Sequence, residues 1–294
     1  MPIVDCWMLI DLSISIQKRA ITITIVKEME RISSRQNALV RQFRDVAQGD
    51  VDDALLLDGD HLIQEALASD VAIDVAAFSE RLAAGRLAVR LRDAGTRVVL
   101  VSDSVLDAMS PVQSPSGVVA IAQKPAASLE RTLAKTPQLV LMLHDVQDPG
   151  NVGAVVRAAE GCGATGVVCS ERTADPFGWK ALRGAMGSTF RLPLAVRQSL
   201  PAAIAVARSG GIRIFATVAR GGTPLMECEL CVPTAILLGG EGAGLPADLA
   251  ETADARLTIP MQPPVESLNV SIAAALVIYE AARQRQTRGV HVTL

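Results

Sequence analysis

Arg157 stands in the middle of DVQDPGNVGAVVRAAEGCG (145–163), where Gly153, Ala154, Ala158, Ala159 and Gly161 are small enough for neighbouring backbone to press close. A guanidinium in such a helix is stranded unless it faces a polar cleft or an ion-pair partner. Being charged throughout the working pH range, it can bind an anion but hardly take up a proton. Asn151, six residues earlier, can donate and accept, and also reads as the N-cap of a helix over Asn151–Glu160. A second stretch, LLGGEGAGLP (237–246), sets Glu241 among glycines. There a ligand can approach the backbone closely, although a tight connection would look the same. A third, IPMQPPVESLN (259–269), carries Pro260, Pro263 and Pro264, expected to hold the loop stiffly extended with its backbone groups fixed. Ser267 reads there as the N-cap of the helix that follows. The glycine spacing excludes a GxGxxG dinucleotide fingerprint, and no Lys-Ser/Thr pair closes a phosphate-binding loop.

These loops need elements to hold them. QLVLMLHDV, TGVVCSE, RIFATVA, TAILLGG and ARLTIP are apolar throughout and alternate with helical stretches such as KALRGAMGS and ADLAETA. Such strands belong in a parallel sheet covered on both faces, ending with a long helix over LNVSIAAALVIYEAARQR. All three polar loops then leave carboxyl ends of strands, where α/β sheets bind ligands. Upstream, a helix with Leu39, Val40 and Phe43 on one face precedes ALLLD, a turn at Asp58-Gly59-Asp60, and the strands VAIDVAAFS, TRVVLVSD and GVVAIAQK, with AGRLAVRLRDA helical between them. The expected organisation is an extension over 1–28, a small α/β domain over 29–124, a linker over 125–137 and a larger α/β domain over 138–294.

Composition narrows the class. Half of the 294 residues are hydrophobic, a fifth are charged and only 3% are aromatic, so the core is aliphatic. A net charge of −3 offers no global field for a polyanion. A local run does: Lys18, Arg19, Lys27, Arg31, Arg35, Arg41 and Arg44 face only Glu28 and Glu30. By itself this run reads as a solvated helix face. Five irregularly spaced cysteines point to a reducing cytoplasm. Cys228 and Cys231 lack the second pair or histidine that a zinc site needs, so no metal is expected. The first 28 residues have no early positive charge and no small-residue cleavage site, and Asp5 and Asp11 make them too polar to cross a membrane. Since Met29 opens the next segment, they are expected to be dispensable.

Taken together in order and spacing, Asn151-Val-Gly153-Ala-Val-Val-Arg157, LLGGEGAGLP and IPMQPPVESLNVSIAAAL resemble the three motifs of the SpoU/TrmH family of RNA 2′-O-ribose methyltransferases, in the knotted SPOUT superfamily. ISSRQNALVRQFRD, LLLDGDHLIQEAL and SPSGVVAIAQKP resemble that family's N-terminal substrate-binding domain, which is similar to a small ribosomal RNA-binding fold. The likeness spans roughly residues 30–288. It departs at Gly240, where many relatives have Asn, and at Asp58, where they have Glu.

The resemblance implies a catalytic domain tied in a deep trefoil knot, where sheet rules alone exclude knots. It implies S-adenosylmethionine held by Thr217, Gly239, Gly240, Ile259, Pro260 and Leu268, and a homodimer formed through the knotted domain. It assigns Arg157, Asn151, Glu241, Ser267 and Asn269 to the reacting ribose. Arg157 would bind the adjacent phosphate or steady the 2′-oxygen while another group accepts the proton. Beside an RNA-binding fold, Arg35, Asn37, Arg41 and Arg44 become candidate RNA contacts. The expected substrate is 23S rRNA. A tRNA, or a non-catalytic role in RNA binding, are the alternatives, and a nucleotide-dependent oxidoreductase is disfavoured by the missing fingerprint.

Overall fold

The computed structural model describes residues 29–289, apart from 84 and 137. The extension over 1–28, with Cys6, Lys18, Arg19 and Lys27, lies outside the described residues. The chain forms two compact units, one ending at Gln123 and the other beginning at Lys124.

The first unit holds β1 (Glu30–Ile32), β2 (Ala54–Asp58), β3 (Ile73–Ser79), β4 (Arg97–Val101) and β5 (Val118–Gln123) in the order β1-β4-β3-β5-β2. β5 runs antiparallel to β2 and β3, while β1, β4 and β3 are parallel. The helix Ala38–Gln48 starts where Asn37 accepts from the Leu39 N–H and stops at Gly49, whose φ of 83° an L side chain resists. It buries Leu39, Val40, Phe43 and Val46, so the expected face is the one that packs. β1 and the helix Asp103–Met109 do not stand out in the sequence, because three and seven residues are too few to display a period.

The second unit is built on a parallel sheet in the order β10-β12-β9-β11-β6-β7-β8. Its strands are β6 (Leu139–His144), β7 (Gly166–Ser170), β8 (Leu194–Gln198), β9 (Arg213–Thr217), β10 (Thr223–Pro224), β11 (Thr234–Gly239) and β12 (Ala255–Thr258). Every pairing is parallel. The fold class read from the apolar strands is therefore the one found. β8 and the helix Leu200–Ser209 went unread: the five-residue strand follows Pro193 and carries Arg197, and the helix is rich in alanine with Pro201 in its first turn.

Three local expectations change. Residues 125–137 are not merely a linker: Leu129–Ala134 is a helix capped by Ser128, and its fully buried Thr132 lies against Gly166 at the start of β7. KALRGAMGS does not form one helix, because Met186 (φ 52°) and Gly187 (φ 93°) are left-handed and divide Trp179–Ala185 from Ser188–Arg191. The proline loop does not stay extended either. It turns at Pro263-Pro264, which are joined by a cis peptide, and the Val265 N–H donates to the Gln262 carbonyl.

Candidate active site

The adjacent strands β12, β9, β11 and β6 end side by side, and their carboxyl-end loops converge. The helix Pro149–Gly161 follows β6. It is capped by Asp148, not Asn151: the Asp148 carboxylate accepts from the Asn151 N–H at 2.9 Å, and Pro149 opens the first turn. Val152, Val155 and Val156 are fully buried. Opposite them, Gly153 lies so close to the helix Trp179–Ala185 that a Cβ there would stand 2.3 Å from the Ala181 carbonyl oxygen. Gly153 is thus required by packing, whereas a Cβ at Gly161 would meet nothing within 4 Å.

With Asp148 serving as cap, the Asn151 side chain is free to face the loops. Its Nδ2 donates to Glu241 Oε1 at 2.7 Å. Its Oδ1 accepts from Asn269 Nδ2 at 3.0 Å. Asn269, not Ser267, caps the helix Val270–Thr287, its Oδ1 accepting from the backbone N–H groups of Ser271 and Ile272 and from the Ser271 hydroxyl. The orientations follow in sequence. The helix terminus claims Asn269 Oδ1, so Asn269 Nδ2 points away and donates to Asn151 Oδ1. Asn151 Nδ2 is left to donate to a carboxylate that can only accept. Glu241 Oε2 also accepts from the Gln147 N–H at 3.3 Å. Partial burial works to raise the Glu241 pKa, but the donors Asn151, its own N–H and Gln147 outweigh it and hold the carboxyl below its ordinary value.

Behind this network lies a cavity of about 560 Å³. Thr217, Gly239, Gly240, Ile259, Ser267 and Leu268 line it, with Glu241 and Asn269 at the same wall. Gly239 is pressed by its own loop, since a Cβ would meet the Gly244 carbonyl carbon at 2.1 Å. Gly240 is pressed from the other side, where a Cβ would stand 2.1 Å from the Asp145 carbonyl oxygen. The Thr217 hydroxyl is taken by the Leu237 carbonyl at 2.8 Å, so it braces β9 on β11. Pro260 is exposed and does not line the cavity, although its neighbours Ile259 and Met261 do. Met261 and the Gln147 amide were not anticipated; a side chain in a loop and a main-chain N–H leave no mark in sequence.

Arg157 stands apart. It is exposed, does not line the cavity, and makes no hydrogen bond or ion pair among the described residues. At about 100° per residue, it points roughly 120° around the helix from Asn151. The structural ion pair that would have explained it is absent among the described residues. In the first unit, Arg35 and Arg41 are likewise exposed and unpartnered. Asn37 spends its side-chain oxygen as a cap, and Arg44 Nε donates to the Ala108 carbonyl at 2.8 Å.

A parallel sheet whose cavity opens between glycine- and proline-rich loops, rimmed by an Asn-Glu-Asn network, defines a class. The chain belongs to the SpoU rRNA Methylase family, whose model matches residues 138–279. An MRM3-like substrate binding domain matches residues 40–120. The chain is 32% identical to the 23S rRNA (guanosine(2553)-2′-O)-methyltransferase RlmP of Bacillus subtilis, over 85% of this chain and 98% of the relative. It is 33% identical to a Burkholderia 23S rRNA (guanosine-2′-O-)-methyltransferase, RlmB, over 67% and 81%. Among solved structures it is similar to an AdoMet-bound rRNA methyltransferase from Sinorhizobium meliloti, with a TM-score of 0.78 and 28% identity over 87% and 98% of the two chains. The SpoU methyltransferase AviRb from Streptomyces viridochromogenes, in complex with AdoMet, matches at 0.77 and 25%, over 86% and 99%.

Proposed function

We propose that this protein transfers a methyl group from S-adenosylmethionine to a ribose 2′-hydroxyl in 23S rRNA. The observation that carries the reading is the Glu241–Asn151–Asn269 network at the edge of a cavity whose floor only glycine permits.

The cavity fits the cofactor. Leu238, Leu257 and Leu268 supply apolar surface for an adenine ring, and backbone at Gly239, Ile259 and Leu268 supplies fixed donors and acceptors for its edge. Bound there, the cofactor supplies an electrophilic methyl group on a sulfonium. The chain's own task is to aim the oxygen. Asn151 and Asn269 have their amides locked by the network and so meet a ribose with a fixed pattern of donors and acceptors. Glu241, a carboxylate with a depressed pKa, is a weak base, and its role is to hold Asn151. The Ser267 hydroxyl has no partner among the described residues and is available to the ribose. Arg157 lies outside the network, which supports the phosphate-binding alternative: its unpaired guanidinium neutralises the backbone beside the target.

The first unit presents Arg35 and Arg41 to RNA, and an rRNA substrate supports a cytoplasmic location. The second unit forms a homodimer. Ile272, Leu276 and Tyr279 recur at helical spacing on Val270–Thr287 and are exposed, a stripe that a second copy would cover. The same helix passes through a trefoil knot. Buried Arg285 ties this helix to the carbonyls of Gln138, Leu230 and Val232.

Mapping ribose methylation in RNA from cells with and without the protein tests the function. One 23S rRNA ribose should lose its methyl group, and an unchanged map would overturn the reading. Thermal shift with S-adenosylmethionine, NAD and ATP separates it from an oxidoreductase, since only the first should stabilise the protein.

A further inference from the structure

Arg157 and Glu160 lie about one turn apart on the helix Pro149–Gly161, roughly 60° from each other around its axis. Helical side chains lean toward the N-terminus, so Glu160 leans back over Arg157. Opposite charges at this spacing are within reach of each other and stabilise a helix when they pair. Here they do not pair. Arg157 makes no ion pair among the described residues, although Glu160 is the one carboxylate in its helix.

Glu160 is engaged from the helix Ser188–Arg191, packed beside its own. Arg191 donates from Nε to Glu160 Oε1 at 2.6 Å and from Nη2 to Oε2 at 3.0 Å, so both carboxylate oxygens are occupied. The Ser188 hydroxyl, at the other end of that short helix, donates to the same carboxylate. Partial burial works to raise the Glu160 pKa, but the hydrogen bonds from Arg191 and Ser188 and the charge of Arg191 outweigh it and hold the carboxyl below its ordinary value. Glu160 is therefore an anion throughout the neutral range. The guanidinium fork matches a carboxylate with two parallel bonds, which fixes Glu160 in one orientation.

We infer that Arg191 is a positioning residue for RNA binding: by holding both oxygens of Glu160, it withholds that carboxylate from Arg157 and leaves the Arg157 guanidinium to an RNA phosphate. With Glu160 bound to Arg191, the charge of Arg157 is uncompensated within its helix. Without Arg191, Glu160 and Arg157 neutralise each other, and an arriving phosphate must displace a carboxylate that also repels it. Arg191 thus acts through Arg157 without touching the RNA itself. The inference rests on the proposed contact between Arg157 and the RNA backbone.

The test measures filter binding of a 23S rRNA transcript to the full-length protein at several salt concentrations. Arg191→Ala should weaken binding about fivefold at low salt. It should also reduce the slope of log affinity against log salt by about 0.7–0.9, the value for one phosphate. Glu160→Gln breaks the same bridge but leaves Arg157 no carboxylate to pair with, so it should bind no more weakly than the wild type. Adding Glu160→Gln to Arg191→Ala should restore binding. Because that rescue also restores the net charge, Arg157 supplies the control: in Arg157→Ala, adding Arg191→Ala should cause no further loss. Equal weakening by Glu160→Gln and Arg191→Ala, or additive losses from Arg157→Ala and Arg191→Ala, would overturn the inference. The expected binding pattern in a protein that methylates no ribose of the same transcript would instead uphold it and overturn the proposed reaction.

Discussion

Asn151 Nδ2 lies 2.7 Å from Glu241 Oε1, joining the first turn of a helix to a loop 90 residues away in sequence. Asn151→Ala removes the middle of the network and leaves Glu241 and Asn269 facing each other across a gap. Methyl transfer should fall about a hundredfold, because the ribose loses its fixed partners. S-adenosylmethionine affinity should change little. Single-turnover kinetics and calorimetry measure the two separately, and a loss confined to cofactor affinity would contradict the assignment.

The Glu241 carboxyl is held below its ordinary pKa, so its contribution is complete above the unfolded value and is lost as pH falls through the folded one. Activity should therefore show no Glu241 titration across neutral pH, and the network should fail only in the acid range, below where an ordinary glutamate titrates. A carboxyl-carbon NMR titration reads this directly. A Glu241 midpoint near neutrality would refute it.

Gly240 has no room for a side chain, since a Cβ would stand 2.1 Å from the Asp145 carbonyl oxygen. Gly240→Ala should destabilise the protein by about 1–3 kcal/mol and lower cofactor affinity, because backbone on both sides must shift. Gly240→Asn should do the same. Thermal melts with and without S-adenosylmethionine decide the matter.

Arg157 has nothing in the described residues to lose. Arg157→Ala should keep the wild-type melting temperature and cofactor affinity while methylation collapses. Arg157→Lys should rescue it only in part, because a point charge cannot match a bidentate phosphate contact. Wild-type turnover in Arg157→Ala would remove it from the site.

Arg41 and Arg44 should separate by mechanism. Arg41→Ala is expected to weaken RNA binding and to reduce the slope of log affinity against log salt by about 0.7–0.9, the value for one phosphate. Arg44→Ala also releases the Ala108 carbonyl, so its melting temperature should fall as well. Anisotropy titrations at several salt concentrations and parallel melts provide both readouts.

Much of this protein could be read from its sequence. Apolar runs such as LVLMLH and TAILLG imply buried parallel strands because a sheet covered on both faces tolerates no alternation. Their order places the polar loops at carboxyl ends, and the three motifs carry the family. Caps were misplaced by two or three residues, because Asp148 and Asn151, or Ser267 and Asn269, are equally good caps in a string of letters. Tertiary structure decided among them. Asn269 reaches Asn151 only where the helix Val270–Thr287 packs against Pro149–Gly161, and that contact settles which oxygen caps and which nitrogen donates. Arg157 was singled out by its small neighbours, yet only the folded helix shows that it points away from Asn151 and has no partner among the described residues.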